Sequence, residues 1–514
     1  MTTGADLLLD TATRHGVEVC FANPGTTELD LVAALDRSTA MRTVLGLFEG
    51  VCSGAADGYA RMALKPALGL FHLGPGFANS LANQHNARRH HSPMLNVIGD
   101  QASWHLAHDA PLTSDIDALT GWCGWTRRVS GADDAGAATA EALAHATNGA
   151  GRTATVIVPA DAMWSQTTSS APEVAPRRPA PVDADRVEAA AAALRRRGAA
   201  IIAGGARLSE ATLVALGRVQ AATGCAVHLT RTARVDVGRH VPAFRELPYF
   251  PEPLRSTLSE VEVAVLFGPS EPVTFFGYPE VPSQALPSRA ERLALASWDD
   301  DLEAVAEALA DALGAPPAPA NPDGRPALPD QPEDDLDVGS LGVTVARLVP
   351  EGAVVVQESV TSGGAYRTWS TAAAPHTILA VLGGAIGGGL PAAVGAAVAA
   401  PERPVIALQA DGSAGYTLQS LWTMAREQLD VTVVLLANRR YKILDVELER
   451  AGLADLGEVA RSLTDLGRPD LDWVSLAAGF GVSGRRATTA GELADALGRA
   501  LAEPGPHLVE AVLV

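Results

Sequence analysis

Only four cysteines, Cys20, Cys52, Cys123 and Cys225, are spread over 514 residues. They have neither the paired spacing of a metal site nor the density of a disulfide framework, which excludes a small stapled extracellular scaffold and predicts reduced thiols in the cytoplasm. No apolar run approaches the roughly 20 residues a membrane helix needs. The opening Met1-Thr2-Thr3-Gly4-Ala5-Asp6 lacks the basic start of a secretory leader. Basic clusters are scarce as well: against a formal charge of −20, Arg88-Arg89 and Arg439-Arg440 are too short to build a phosphate-tracking face. Nucleic acid and anionic membrane are therefore excluded as general partners, and a small substrate is expected. No short tandem repeat is present.

What the chain has is a composition of 47% hydrophobic and 19% charged residues, which suits a compact fold, and a length that suggests about three domains. Two stretches interrupt the periodic pattern, Thr167 to Asp185 with four prolines and the Pro/Ala/Asp-rich Gly314 to Asp337. Read as linkers, they leave blocks at 1–166, 186–313 and 338–514. Each block alternates short apolar runs with helical pattern. In the first, Gly16 to Ala22 reads as a strand ending in Asn23-Pro24-Gly25, with Thr26 or Thr27 capping a helix over Glu28 to Asp36, followed by strands at Ala67 to His72 and Met94 to Ile98. The middle block has strands at Ala199 to Ala203 and Val261 to Phe267. The last has them at Ala353 to Gln357, Pro404 to Gln409 and Val431 to Ala437. Continuous apolar strands belong to parallel sheets covered on both faces, so the expected fold is α/β, with three doubly wound parallel-sheet domains. Ligands of such sheets lie beyond the carboxyl ends of the strands.

Two acids stand at such ends. Asp411, in Ala410-Asp411-Gly412-Ser413, follows one strand of the last block, and Asn438 ends the next strand 27 residues later, after a crossover helix over Thr417 to Glu427. A carboxylate and an amide oxygen on one sheet edge suit a hard cation that also binds phosphate oxygens; an Asp-Gly turn and an ordinary strand-end Asn is the other reading. Glu49, in Leu47-Phe48-Glu49-Gly50, closes an apolar segment, as a catalytic acid or as a common helix-start carboxylate. The run Leu382-Gly383-Gly384-Ala385-Ile386-Gly387-Gly388-Gly389 is, by itself, a weak nucleotide-loop signal.

Taken in order along the chain, these segments resemble the thiamine-diphosphate-dependent 2-oxo acid decarboxylases and carboligases. Asp411-Gly412-Ser413-Ala414 with Tyr416 and Leu421-Trp422-Thr423 is similar to benzoylformate decarboxylase, and Gly74-Pro75-Gly76-Phe77-Ala78-Asn79 to acetolactate synthase large subunits. The resemblance implies pyrimidine-binding, middle and diphosphate-binding domains. It implies magnesium on Asp411, the Asn438 side chain and the Arg440 carbonyl, and places Thr361, Gly412, Ser413 and Tyr441 with the cofactor. It makes Glu49 the acid that hydrogen-bonds the aminopyrimidine ring, the Gly384 carbonyl the acceptor of the ring's amino group, and Ile386 the wedge that bends the cofactor. His72 takes the place of an active-site histidine that handles the substrate carboxylate and protons; a core hydrogen bond is its other reading. Thr26 stands where the decarboxylase has serine, and His105 and His108 are further substrate candidates. Ala410 and Ala437 replace a Gly and an Asn of the family motif, at positions that supply no metal ligand. The decarboxylase's second histidine has no counterpart around Phe275 to Tyr278.

The implied reaction removes carbon dioxide from a 2-oxo acid and either releases an aldehyde or joins the acyl carbon to a carbonyl acceptor. A homodimer or homotetramer with active sites between subunits is implied too. FAD in the middle domain is left open, with nothing in the sequence indicating it. A cofactor-binding regulatory or scaffold protein without turnover is the alternative; a nicotinamide dehydrogenase fits less well, since no glycine fingerprint follows the first strand.

Overall fold

The computed structural model describes residues 2–173, 181–269, 271–317, 327–453 and 457–514. Parts of both expected linkers, at 174–180 and 318–326, lie outside the described residues. The chain forms two compact units: one joins Met1–Pro176 to Leu328–Val514, and Arg177–Ala327 makes the other.

Three parallel sheets with helices on both faces carry the fold. The N-terminal sheet runs Arg42–Leu45, Val19–Asn23, Ala67–His72, Met94–Asp100, Thr153–Pro159, Trp125–Arg128. The C-terminal block repeats that order with its own six strands: His376–Ala380, Val354–Glu358, Val405–Ala410, Val431–Ala437, His507–Val512, Ser483–Ala487. In the smaller unit the order is Arg245–Glu246, Ala226–Leu229, Ala199–Ala203, Val263–Phe267, Glu291–Ala296.

Alternation along the strands explains why these apolar runs are continuous. Cys20, Ala22, Leu68, Leu70, Leu95 and Val97 pack into a core on one face of the N-terminal sheet. Their neighbours Val19, Phe21, Ala67, Phe71, Met94 and Ile98 join a second core, which also takes Val354, Val356, Val405, Ala407, Val431 and Val433 from the C-terminal sheet. Both blocks of the larger unit thus share one core. At its centre the helices Glu49–Ala63 and Gly389–Ala399 cross at close range. A Cβ at Gly54 would lie 2.6 Å from Pro391 Cβ, one at Gly58 2.2 Å from the Ala392 carbonyl, and one at Gly395 1.9 Å from the Ala55 carbonyl. Glycine is what lets these backbones meet.

Two local expectations are corrected. Neither Thr26 nor Thr27 caps the second helix: Thr26–Glu28 is a 3-10 turn whose start is closed by Glu28 accepting the Gly25 N–H, and Leu29–Arg37 follows it without a side-chain cap. The crossover after Asp411 is two short helices, Asp411–Thr417 and Ser420–Arg426, the first beginning at Asp411 itself. No helix among the described residues is long and apolar enough to cross a membrane.

Candidate active site

The ends of three neighbouring C-terminal strands place one cluster. Asp411 leaves strand Val405–Ala410 as the first residue of a helix and is 5% exposed. Its carboxylate accepts the N–H groups of Gly412 at 2.8 Å and Arg439 at 2.7 Å. Burial pushes the Asp411 carboxyl above its ordinary range, against the pull of those N–H groups. Among the described residues no basic side chain pairs with it: Arg439 reaches Asp470 at 2.9 Å and Arg440 reaches Asp445 at 3.0 Å. Asn438 ends strand Val431–Ala437, where its side-chain oxygen accepts the Arg440 N–H at 3.0 Å. Arg439 between them has φ +56, a left-handed turn that brings its N–H onto Asp411. Gly412 faces Tyr441, whose ring a Cβ would meet at 2.5 Å, and Ser413 is buried beside it.

Glu358, at the end of strand Val354–Glu358, is a buried acid with a role the sequence did not suggest. It accepts the N–H groups of Gly387, Gly388 and Gly389 at 2.9, 3.1 and 2.9 Å and the Gln409 amide at 2.8 Å, fixing the second half of the glycine run. Burial pushes its carboxyl up, and these donors pull it back. Gly384 is exposed with φ +79, its carbonyl without a hydrogen bond among the described residues, and Ile386 is half-buried. Thr361 is half-buried in the loop after Glu358.

A second cluster lies in the N-terminal block. Glu49 opens helix Glu49–Ala63, half-buried, and accepts the Asn79 amide at 3.0 Å. His72 ends strand Ala67–His72, and a Cβ at Gly76 would meet Glu49 Oε1 at 3.1 Å and His72 Cβ at 3.4 Å. The two candidate acid-base residues therefore flank one glycine. Nδ1 of His72 donates to Oε2 of the fully buried Glu28 at 2.8 Å, because a carboxylate can only accept; Thr27 Oγ is 3.2 Å from the same nitrogen. Thr26 is exposed, so the hydroxyl at His72 belongs to Thr27. The rings of His105 and His108 lie 5.8 Å apart and tilted by 50° on the exposed surface, and among the described residues neither makes a hydrogen bond to Glu49 or His72. Sequence reading passed over Glu28, although an acid three residues after Gly25 and its N–H, which it accepts at 2.8 Å, was the available signal.

The C-terminal donors suit a hard cation with phosphate. Among the described residues no group of three or more His, Cys, Asp or Glu could hold a metal ion by itself. Asp411 and Asn438 offer two oxygen donors on adjacent strands, a set that needs phosphate oxygens to complete a hard cation's shell, and no cation of the described residues pairs with the carboxylate. The unpartnered Gly384 carbonyl offers an acceptor to an amino group.

Residues 2–119 match the family model described as thiamine pyrophosphate enzyme, N-terminal TPP binding domain, and residues 361–511 match its C-terminal TPP binding domain. The chain is 47% identical over 519 residues to a Mycobacterium tuberculosis protein provisionally named acetolactate synthase large subunit IlvX, covering 99% of both. It is 29% identical over 548 residues to benzoylformate decarboxylase of Pseudomonas aeruginosa, covering 97% of this chain and 96% of that one. The solved thiamine diphosphate-dependent 4-hydroxybenzoylformate decarboxylase of Rhodococcus jostii RHA1 matches with a TM-score of 0.84 at 25% identity, over 100% of this chain and 99% of the other.

Proposed function

The chain belongs to the thiamine pyrophosphate enzymes, in their decarboxylase and acetolactate-synthase-like group, and on that basis we propose that it decarboxylates a small 2-oxo acid using thiamine diphosphate anchored by magnesium. Asp411, the Asn438 side chain and the Arg440 carbonyl would hold the metal. Thr361, Gly412, Ser413 and Tyr441 would line the diphosphate, and Gly384 and Ile386 the aminopyrimidine. The bound cofactor supplies the electron sink for breaking the bond between the carboxylate and the keto carbon. The observation that carries the reading is the Asp411 carboxylate, buried beside Asn438 with two backbone N–H partners and no basic side chain paired with it.

The remaining work falls to acid-base residues of the chain. Glu49 would hold a proton in a hydrogen bond to the aminopyrimidine ring. Glu28 accepts the Nδ1–H of His72, which leaves Nε2 outside that bond. Once Nε2 has taken a proton from solvent, the doubly protonated ring would donate it in a hydrogen bond to the substrate carboxylate. It would give that same proton to the carbon after carbon dioxide leaves, returning Nε2 to its unprotonated form. A proton carrier in that place favours aldehyde release; transfer to a carbonyl acceptor is the other outcome. Products from a panel of 2-oxo acids, with cofactor and magnesium and with or without added aldehydes, distinguish them. Saturating cofactor binding with no carbon dioxide from any member would overturn the enzyme reading in favour of a scaffold. We further propose a homodimer as the smallest active unit, in the cytoplasm, where the four buried thiols stay reduced; an active monomer by light scattering would contradict the dimer.

A further inference from the structure

The glycine run carries φ +79 at Gly384 and φ +95 at Gly387, a shape that such a segment does not hold unaided. One helix of the N-terminal block, Leu73–His90, holds it in the same chain. His85 Nε2 donates to the Gly383 carbonyl at 3.0 Å, Asn86 Nδ2 to the Ala385 carbonyl at 2.8 Å, and Asn83 Nδ2 to the Gly387 carbonyl at 3.3 Å. At the base of the run, His90 Nε2 accepts the Leu382 N–H at 2.9 Å, while Arg61 donates to the Ala380 carbonyl at 2.9 Å. The helix lies so near that a Cβ at Gly383 would stand 2.2 Å from Asn86 Oδ1. Every second carbonyl from Gly383 to Gly387 is thereby bonded to the helix. Those of Gly384 and Ile386, between them, have no hydrogen bond among the described residues.

We propose that helix Leu73–His90 is the template of the cofactor seat, with His85 and Asn86 as positioning residues that set which carbonyls of the glycine run are left for the aminopyrimidine. This rests on the cofactor assignment above. The helix is N-capped by His72, so one rod of roughly 27 Å, at 1.5 Å per residue, joins the acid-base cluster to the glycine run.

Thiamine diphosphate affinity in the presence of magnesium, read by tryptophan fluorescence, tests it on wild type, Asn86→Ala, His85→Ala and His85→Gln, with inorganic pyrophosphate as competitor. Each alanine variant should bind thiamine diphosphate about tenfold more weakly, as one lost hydrogen bond implies, while pyrophosphate competes with unchanged affinity. His85→Gln, which keeps a donor, should recover most of the loss. Wild-type cofactor affinity in the folded alanine variants overturns the proposal, and so does equal weakening of both ligands, which is general damage. If Asn86→Ala does not fold, the His85 pair decides. A wild type that binds no thiamine diphosphate overturns the cofactor assignment itself, an outcome distinct from the others.

Discussion

Replacing Glu28 by Gln keeps the shape of a fully buried side chain and removes its charge. In the native protein Oε2 accepts from His72 Nδ1 and the Gly25 N–H, both at 2.8 Å, and Oε1 accepts the Thr27 hydroxyl at 2.5 Å. An amide has one oxygen, so at least one of these donors meets an NH2 group instead. A hydrogen bond to a charged partner contributes about 1.5–3 kcal/mol. If that interaction orients His72 for proton transfer, its loss lowers turnover about 10- to 150-fold. Steady-state rates with saturating cofactor on the best 2-oxo acid give the factor, with His72→Ala and the double variant alongside. Because Glu28 acts through His72, the double variant should be no slower than His72→Ala, which should itself fall about 10²- to 10⁴-fold. An unchanged rate in Glu28→Gln, or the same extra loss on top of His72→Ala, refutes the pairing as a catalytic device.

Asp411→Ala should abolish magnesium-dependent thiamine diphosphate binding, and calorimetry showing near-native affinity would mean the anchor lies elsewhere. The buried His90 gives a pH dependence: burial lowers its pKa, only partly opposed by Asp57 at 3.0 Å, so the folded ring stays neutral where an unfolded histidine, with a pKa of about 6.5, takes up a proton. The unfolded state then binds more protons, and stability falls as pH drops below that value. Melting temperatures between pH 7.5 and 5 should fall more steeply for wild type than for His90→Gln; parallel curves would remove His90 as the cause.

Strand ends and the Asp411–Asn438 pair were legible because they depend on local grammar: a parallel strand buried on both faces must be apolar, and ligand groups follow its carboxyl end. The same grammar located Glu49 and His72. It could not say that Gly76 sits between them, since that is a packing contact. Glu28 looked like an ordinary helix-start acid; its partner His72 is 44 residues away. Glu358, three residues before Thr361, drew no reading of its own, because its carboxylate is consumed by three glycine N–H groups some 30 residues on. The buried set of Asp57, Arg61, His90 and Ser92 escaped notice for the same reason. Burial there raises the Asp57 carboxyl, yet the neighbouring Arg61 and His90 hold it well below the usual carboxylate range, a balance visible only once two helices are packed. The crossover helix was misplaced because the break at Leu418 and Gln419 carries neither Gly nor Pro.

Deuterium exchange at C2 of bound thiamine diphosphate is the most direct measurement of whether this chain activates the cofactor, because it requires no knowledge of the substrate. The wild-type protein should accelerate exchange over free cofactor, and Glu49→Gln should bind the cofactor yet exchange about 10²- to 10⁴-fold more slowly, the range for losing a positioned acid-base group. Equal exchange rates in the two proteins, both saturated with cofactor and magnesium, would contradict the assignment of Glu49.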